Sequence, residues 1–349
     1  MIGDVLTSSI LAEVLRKHYP DAELHYLINS HTEPVVCHHP CIDKVIFFTP
    51  EMEHSKKVFF RFLQTIKKEK YTIVIDAYNK ISSVLITIFS GAKIRIGKQK
   101  WYTLPVYTHK LKTRVKNTSG IPLAYENRLA MLEPLGITAP KNITPKIYLT
   151  EQEKQKVFQD AADAGVDFTQ RHYIMLNILG SSADKTYPLP YLAEMLEGIH
   201  THFPEVSFLM NYIPKQKELA DAFLSHCSKT VKDRISPFYA PSLRDFIVLS
   251  SFCKATIGNE GGAIHIANAL QIPTFAIFSP WIRKETWGTT GHNPKSKAVH
   301  LKDYEPERFK NYSQKEFRDI HKRLYDAFLP GFFQKELFSF VENSLKNNS

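Results

Sequence analysis

Short runs of β-branched and aromatic residues alternate with longer amphipathic stretches along the chain, a pattern typical of an α/β fold. The first amphipathic stretch, Val5–His18, places its apolar residues on one helical stripe and ends at a proline. In the first half we predict four strands, Glu23–Ile28, Lys44–Phe48, Thr72–Ile75 and Lys93–Ile96, and three further helices, Lys57–Lys68, Ile81–Phe89 and Tyr125–Glu133.

The same alternation continues in the second half. A polar stretch leads to a short predicted strand at Lys146–Leu149, and Thr150 with Glu153 forms a capping box that starts a helix. We therefore expect two domains, 1–150 and 151–304, and a helical tail over 305–349 that packs back across both. The predicted strands are Tyr173–Ile178, Val206–Asn211, Ala255–Gly258 and Pro273–Phe278, and the helices are Glu151–Ala164, Pro190–His202, Gln216–Cys227, Leu243–Ser251 and Gly262–Leu270.

Composition narrows the class of protein. The length of 349 residues fits about two domains, and 43% hydrophobic with 23% charged residues excludes a disordered, collagen-like or coiled-coil chain. No apolar run approaches the ~20 residues that span a bilayer, and Asp4 follows Met1 without a basic leader, so we expect a cytoplasmic protein.

The net charge of +10 favours anionic partners, which include nucleotide diphosphates, nucleic acid and acidic membrane surfaces. Nucleic acid is not expected, because the chain has no Arg-rich run with interleaved aromatic residues. The nearest basic run, Lys110–Asn117, predicts a solvated loop.

Neither a metal nor an organic cofactor is expected. The segment Cys37–Cys41 (CHHPC) contains possible zinc ligands, but no second ligand cluster follows at a suitable spacing, so we interpret it as a loop. The chain also has no Asp-x-Asp triplet, which argues against a diphosphate held by a metal ion.

The strongest candidate for chemistry is the turn at Gly261-Gly262, which follows a predicted strand and opens a predicted helix. Its backbone N–H groups and the helix dipole would form an anion site suited to a diphosphate. Glu260 could accept a hydrogen bond from a sugar hydroxyl, and His265, one turn later, could reach a phosphate. The alternative is a plain strand-to-helix turn with a capping acid.

Two further segments carry polar groups at predicted element boundaries. Gly180–Lys185 (GSSADK) offers a glycine, two hydroxyls and a lysine, which suit a phosphate although the Walker A spacing is absent; the alternative is a polar surface loop. Asp4, after Gly3, lies where a helix dipole stabilises a carboxylate, and it serves either as a cap or as a catalytic group.

Three ordered motifs cover about residues 2 to 280 and together resemble a known family. They are an opening Gly-Asp motif at Ile2–Ser9 (IGDVLTSS) continued at Tyr19–Leu27 (YPDAELHYL), a Gly-Ser/Thr…Lys-x-Trp-Pro motif at Gly180–Pro188, and a Gly-x-Asp-x-Gly-x-x-His motif at Gly258–His265 followed by Ala269–Pro280 (ALQIPTFAIFSP). In these motifs the chain resembles the bacterial heptosyltransferases of glycosyltransferase family 9.

The resemblance implies a GT-B fold, in which two Rossmann-like doubly wound domains face a cleft, with the acceptor on the N-terminal side and a nucleotide sugar on the C-terminal side. It implies inverting, metal-independent transfer of a heptose or related sugar, typically from ADP-heptose, to a lipopolysaccharide core acceptor at the inner membrane surface. The protein would then be cytoplasmic, or peripheral on the inner face of that membrane.

The resemblance also assigns roles to residues. Asp4 would be the catalytic base, and Lys185 would act on the leaving diphosphate. The donor-binding set would be Ser181, Ser182, Lys185, Glu260, Gly261, Gly262 and His265, and the acceptor-side residues would be Gly3 and Thr7.

The chain departs from the family pattern at several positions. Glu260 stands in place of Asp, Tyr187 in place of Trp, and Gln216 in place of a frequent Glu. Family members also begin with a hydrophobic strand, central in a 3-2-1-4-5 sheet, whereas Met1 already lies at the turn. We expect a gene start placed at an internal methionine, rather than a truncated chain, and a sheet whose first strand is missing.

Two alternatives stay open at this point. One is another GT-B transferase or a sugar-nucleotide epimerase that uses the same phosphate site. The other is a catalytically weak relative that binds the donor.

Overall fold

The computed structural model describes residues 1–117, 120–140, 142–288, 294–310 and 314–346. The chain divides into two compact units, an N-terminal unit of Asp4–Pro145 and a C-terminal unit of Lys146–Ser349 together with Met1–Gly3. The predicted alternation of strands and helices is present in both units, and the described strand pairs are all parallel. The α/β class is therefore confirmed, whereas the roles assigned to the two domains stay predictions.

The strands of the N-terminal unit form two separate sheets. The strands are β1 (His25–Asn29), β2 (Lys44–Phe48), β3 (Ile73–Asp76), β4 (Ile94–Lys98) and β5 (His109–Leu111), and the helices are α1 (Ile2–His18), α2 (Pro50–His54), α3 (Lys56–Lys68), α4 (Ile81–Phe89) and α5 (Leu123–Leu129). Strands β1 and β2 pair from His25 opposite Lys44 to Asn29 opposite Phe48, and β3, β4 and β5 form the second sheet in that order.

Within the described residues, β1 has no ladder partner other than β2, and β3 has none other than β4. That the sheet lacks a first, central strand stays a prediction. The cause of the separation and the position of the gene start stay predictions.

The apolar stripe of α1 supplies much of the core of this unit. Ile10, Leu11 and Val14 are buried in a cluster with Tyr125 of α5 and Leu132. The burial of this stripe explains why the periodicity of α1 was readable in the sequence.

Three N-terminal elements differ from the predictions. Helix α1 begins at Ile2, so that Asp4 lies in its first turn. The helix predicted to reach Glu133 ends at Leu129 and continues as a 3-10 helix, Ala130–Leu135, because the ring of Pro134 is incompatible with an α-helical bond to residue 130. Residues 110–111 of the basic run belong to strand β5, which begins at His109, and the rest of that run is loop.

The C-terminal unit contains one six-stranded sheet in the order β11-β10-β9-β6-β7-β8. Its strands are β6 (His172–Asn177), β7 (Val206–Met210), β8 (Ile235–Ser236), β9 (Ala255–Asn259), β10 (Thr274–Ile277) and β11 (Ser296–Val299). Its helices are α6 (Glu151–Asp163), α7 (Leu189–His202), α8 (Lys217–His226), α9 (Lys229–Lys232), α10 (Leu243–Ser251), α11 (Gly262–Ala269), α12 (Lys284–Trp287), α13 (Leu301–Tyr304), α14 (Gln314–Asp319), α15 (His321–Asp326) and α16 (Gln334–Lys346).

The predicted capping box at the start of α6 is confirmed. The Thr150 hydroxyl accepts a hydrogen bond from Glu153 N at 3.2 Å, and Glu153 Oε2 accepts one from Thr150 N at 2.9 Å. The predicted strand Lys146–Leu149 is wrong: the segment follows Pro145 in irregular conformation, and Ile147 N donates to Ala269 O at the end of α11 instead of to a neighbouring strand. Strands β8 and β11 were not predicted, since each is too short to show a period.

The late segment of the chain packs into the core of the C-terminal unit. Phe328, Phe333, Leu337 and Val341 are buried there with the apolar face of the sheet. The tail predicted over 305–349 is helical in its described parts, 305–310 and 314–346, and its other residues lie outside the described part of the chain. Its packing across both domains stays a prediction.

Among the described residues, no helix combines the length and the apolar composition that crossing a membrane requires.

Candidate active site

Polar loops leave the carboxyl ends of β6, β9 and β10, which are neighbours in the C-terminal sheet. Ligands of open parallel sheets bind at this edge. Asn259, at the end of β9, joins the first two loops: its Nδ2 donates to Asn177 O at 3.1 Å, and its Oδ1 accepts from Tyr187 N at 2.6 Å. Asn177 Nδ2 donates in return to Asn259 O at 2.6 Å. Sequence reasoning assigned no role to Asn259, although an asparagine directly after a predicted strand is a signal that the sequence shows.

Glycine is required at one position of the β9 turn and permitted at two others. Gly258 has φ +138°, and a Cβ there would lie 2.1 Å from Asn177 O, so only glycine allows β9 to approach β6. A Cβ at Gly261 or Gly262 would meet no heavy atom closer than 3.9 or 3.5 Å. The two glycines singled out in the sequence are therefore not required by packing, since an added Cβ would make only ordinary contacts with Ile2 and Asn177.

The loop after β6 folds back on itself. Gly180 N donates to the Thr186 hydroxyl at 3.0 Å, and that hydroxyl donates to Ser182 O at 3.0 Å. A Cβ at Gly180 would lie 2.3 Å from Lys185 O, so the turn closes only with glycine. Ser181 and Ser182 are exposed on the outside of this loop.

Asp184 anchors the loop through its backbone and its side chain. Its carbonyl oxygen accepts hydrogen bonds from the Ser279 hydroxyl at 2.7 Å and from Trp281 Nε1 at 2.9 Å. Its carboxylate accepts from Arg318 Nε at 3.0 Å and from the Ser182 hydroxyl. Burial acts to raise the pKa of Asp184, but these two hydrogen bonds and the charge of Arg318 hold the pKa below its usual value.

Lys185 follows the anchored aspartate and lies over an aromatic ring. Its ammonium is 5.5 Å from the centre of the Trp281 ring, and the Arg318 guanidinium is 5.2 Å from the same ring. Cation–π contact of this kind fixes a cation without neutralising it. Ser279, Trp281 and Arg318 were missed in the sequence because they are remote from the loop in the chain.

Glu260 and His265 contact each other. Both are buried, and His265 Nε2 lies 3.3 Å from Glu260 Oε1. The imidazole also meets the Trp287 ring edge-on at 5.4 Å between centres. A Cβ at Gly3 would lie 2.7 Å from Cδ2 of His265, so a side chain at Gly3 would displace that ring. The two donor-binding candidates thus form a pair, and their direct contact with a donor stays a prediction.

In the N-terminal unit, the carboxylate of Asp4 pairs with Arg128. Asp4 Oδ1 accepts from Arg128 Nη2 at 3.2 Å, and Ser8 Oγ donates to Asp4 O at 2.7 Å. The Arg128 side chain is nearly buried, and its Nε has no hydrogen-bond partner among the described residues. Thr7 is buried in α1, so its place on the acceptor side stays a prediction.

Lys98, at the carboxyl end of β4, belongs to the same neighbourhood. Its pKa is lowered to about 8, chiefly by burial and also by the charge of Arg128, while the charge of Asp4 acts in the opposite direction. Asp4, Arg128 and Lys98 therefore form a partly desolvated group with two cations and one carboxylate. Sequence reasoning found only Asp4, since the other two carry no local motif.

The chain has the GT-B fold, with two units built on parallel sheets. Residues 59–317 match the family model of Glycosyltransferase family 9 (heptosyltransferase), and the chain belongs to that family. The family resemblance, the GT-B fold and the enzyme class predicted from the sequence are confirmed.

Three similar proteins illustrate the relationship. The chain is 22% identical over 288 residues to lipopolysaccharide heptosyltransferase 1 of Campylobacter coli, with 79% of this chain and 81% of the relative covered. A glycosyl transferase family 9 structure from Veillonella parvula superposes with a TM-score of 0.78 at 18% identity, covering 99% of this chain and 94% of that one. The E. coli heptosyltransferase WaaC with ADP-2-deoxy-2-fluoro heptose gives a TM-score of 0.64 at 15% identity, covering 86% and 90%.

Proposed function

We propose that this protein is an inverting heptosyltransferase that transfers heptose from ADP-heptose to a lipopolysaccharide core acceptor. The observation that carries the proposal is the edge formed by β6, β9 and β10, where Asp184 anchors a loop that holds Lys185 over Trp281. Family membership supports the reaction class. The solved relative with ADP-2-deoxy-2-fluoro heptose supports an ADP-linked donor.

The C-terminal unit would stabilise the leaving ADP. As the bond from the anomeric carbon to the diphosphate oxygen breaks, negative charge grows on that oxygen. Lys185 and the backbone N–H groups at the start of α11 would supply positive charge to that oxygen. This assignment uses the chain's own cations and needs no metal ion in the step.

The N-terminal unit would supply the base. Asp4 would take the proton of an acceptor hydroxyl while the hydroxyl oxygen bonds to the anomeric carbon on the face opposite ADP, which inverts the configuration. Arg128 supports this role, because its contact with Oδ1 orients the carboxylate and leaves Oδ2 for the hydroxyl. Lys98 and Arg128 also suit an acceptor that carries negative groups, as a lipopolysaccharide core does.

The test is transfer to a lipopolysaccharide core acceptor with ADP-heptose, compared with UDP- and GDP-linked sugars, and with the anomeric configuration of the product read by NMR. We expect turnover with ADP-heptose alone and an inverted product. Equal turnover or equal thermal stabilisation with all three nucleotides would remove the ADP-heptose assignment, and a retained configuration would remove the inverting mechanism.

Variants separate the two roles. Lys185→Ala should lower kcat by roughly 10²–10³-fold, because it removes one stabiliser of the leaving group. Asp4→Asn should abolish transfer but leave ADP affinity nearly unchanged. The control is Lys217→Ala, an exposed lysine paired with Asp221 on α8, which should behave as wild type. Wild-type kinetics of Lys185→Ala would contradict the donor assignment, and activity of Asp4→Asn would contradict the base.

A further inference from the structure

Two loops at the carboxyl ends of β3 and β4 are joined into one surface, here named the Trp101 tip and defined as residues 78–81 and 98–104. Asn79 makes the connection. Its Oδ1 accepts from Lys98 N at 2.7 Å, and its carbonyl oxygen accepts from Lys100 Nζ at 2.9 Å and from the Tyr102 hydroxyl at 3.1 Å. The two loops therefore act as one rigid projection of the N-terminal unit.

Large apolar side chains of the Trp101 tip are left exposed. Trp101 is 84% exposed, Ile81 72%, Tyr78 52% and Leu104 45%. Four such residues on one short surface exceed the scattered exposure that a soluble protein shows, and a contiguous apolar patch marks an interaction site. Trp and Tyr are the side chains that favour the boundary between water and lipid.

The charge of the tip identifies the partner that it fits. Its two segments contain Lys80, Lys98 and Lys100 and no acidic residue. The nearest acid along the chain, Asp76, is buried and accepts hydrogen bonds from the Tyr107 hydroxyl at 2.6 Å and from two backbone amides. Its charge acts on Lys98, whereas Lys80 and Lys100 are exposed. A second copy of the chain would bring the same three positive charges and be repelled, whereas an anionic lipid surface is complementary.

The tip adjoins the residues proposed to handle the acceptor. Lys98 belongs both to the tip and to the group around Asp4 and Arg128. An acceptor held by its lipid anchor at a membrane surface would reach that group from the side on which the tip projects.

We propose that the Trp101 tip docks on an anionic lipid bilayer, with Trp101, Ile81 and Tyr78 in the interfacial region and the lysines against the headgroups. Docking brings the enzyme to a lipid-anchored acceptor. Only this last step depends on the proposed function, since the docking itself needs neither sugar nor nucleotide.

The first experiment measures co-sedimentation of the full chain with vesicles, without donor or acceptor. We expect binding to phosphatidylethanolamine vesicles containing phosphatidylglycerol, weak binding to pure phosphatidylcholine, and loss of binding in high salt. Trp101→Ser combined with Ile81→Ser should weaken binding at least about tenfold, and Lys100→Gln about fivefold. The control is Ile213→Ser, which removes another exposed isoleucine (58%, against 72% for Ile81) from the C-terminal unit and should bind as wild type.

Three results would overturn the proposal. They are no binding of the wild type to anionic vesicles, unchanged binding of the double variant, and an equal loss in Ile213→Ser. Light scattering adds a fourth, a wild-type dimer that becomes a monomer in the double variant, which would make the tip a contact between copies.

The second experiment compares kcat/KM on a vesicle-embedded acceptor with kcat/KM on a water-soluble, delipidated acceptor. The double variant should lose activity on the first and keep it on the second. An equal loss on both would mean that the tip binds the acceptor sugar, and the docking proposal would be wrong. Failure of the proposed function is distinguishable, because it would abolish transfer to both acceptors and leave vesicle binding intact.

Discussion

Strands and helices alternate along the chain in both units, but the two units bury their strands to different degrees. In the C-terminal sheet, every residue of β7, β9 and β10 is buried. In β1 to β5, only four residues are buried, which are Ile28, Asp76, Ile96 and Gly97. Parallel strands usually lie in the interior of a sheet covered on both faces, so the N-terminal unit departs from the rule that its partner follows.

Side-chain contacts link the two sheets of the N-terminal unit. Among the described residues, side chains connect the starts of β1 and β3: His25 Nδ1 lies 2.8 Å from the Tyr71 hydroxyl, and their rings meet edge-on at 5.5 Å. Burial and the charges of Glu69 and Glu23 raise the pKa of Tyr71 to about 12. One side-chain pair cannot replace a row of backbone hydrogen bonds, so we expect the N-terminal unit to be the weaker one.

The largest expected effect tests that ranking directly. Hydrogen exchange should show amides of β1–β5 opening at a free energy several kcal/mol below that of β6, β7 and β9, because exposed ladders open locally. Urea unfolding followed by exchange and mass spectrometry measures both units in one sample. A single cooperative transition with equal protection in the two sheets would show that the separation of β1 from β3 has no energetic cost.

The second-largest expected effect is a loss of stability in the C-terminal unit. Asn259→Ala removes two side-chain hydrogen bonds, the one that Oδ1 accepts from the Tyr187 amide and the one that Nδ2 donates to Asn177 O, so the C-terminal transition should fall by about 2 kcal/mol. Asn211→Ala is the matched control, since that amide accepts one hydrogen bond, from Ala240 N. If the two variants lose equal stability in urea, Asn259 is not the link between the loops.

A smaller effect concerns the start of the C-terminal unit and its pH dependence. The hydrogen bonds from Arg244 to Glu153, with help from Thr150, lower the pKa of Glu153 to about 2. Because the folded pKa lies below the unfolded one, the stabilisation is present above about pH 4.5 and is lost as the pH falls toward 2.

Glu153→Gln should therefore cost roughly 2 kcal/mol at pH 7 and nothing at pH 2, measured by urea midpoints at both pH values. Glu151→Gln, on the exposed side of the same helical turn, should have little effect at either pH. A pH-independent loss in Glu153→Gln would mean that packing, and not the ion pair, is responsible.

The smallest expected effect concerns Lys98 and the stability of the N-terminal unit. The pKa of Lys98 is lowered to about 8, chiefly by burial, so the folded state binds this proton less tightly than the unfolded state. The resulting penalty is complete below pH 8 and disappears as the pH rises toward 10.5. Lys98→Met should stabilise the N-terminal unit by about 1 kcal/mol at pH 7 and raise KM for the acceptor.

Lys93→Met, an exposed lysine just before β4, is the control and should change neither quantity. A lower Tm in Lys98→Met would show that the ammonium contributes favourable contacts which outweigh its burial.

The sequence predicted those elements whose pattern is long enough to be periodic. Strand Lys44–Phe48 and helix Leu243–Ser251 have the bounds that the pattern indicated. Strand β8, with two residues, has no period to read, and the apolar run Lys146–Leu149 looked like a strand although no neighbouring strand pairs with it.

The sequence likewise predicted some residues of the candidate site and missed others. The loops at Gly180 and Gly261 were found because strand, turn and helix follow each other locally. Their supports were not, since Arg318 is 134 residues from Asp184, and Arg128 is 124 residues from Asp4. Pairs this remote are created by the fold, and one sequence contains no signal that joins them.

The contacts that anchor the loop after β6 have a consequence for synthesis on the ribosome. The hydroxyl of Tyr187, two residues after Lys185, donates a hydrogen bond to Phe328 O, and the Asp184 carboxylate accepts one from Arg318 Nε. Both partners are translated long after the loop itself, whereas Arg128, the partner of Asp4, is made early. A nascent chain can therefore complete the surroundings of Asp4 while the loop after β6 still lacks Arg318 and Phe328, so the edge proposed to bind the donor would be completed last.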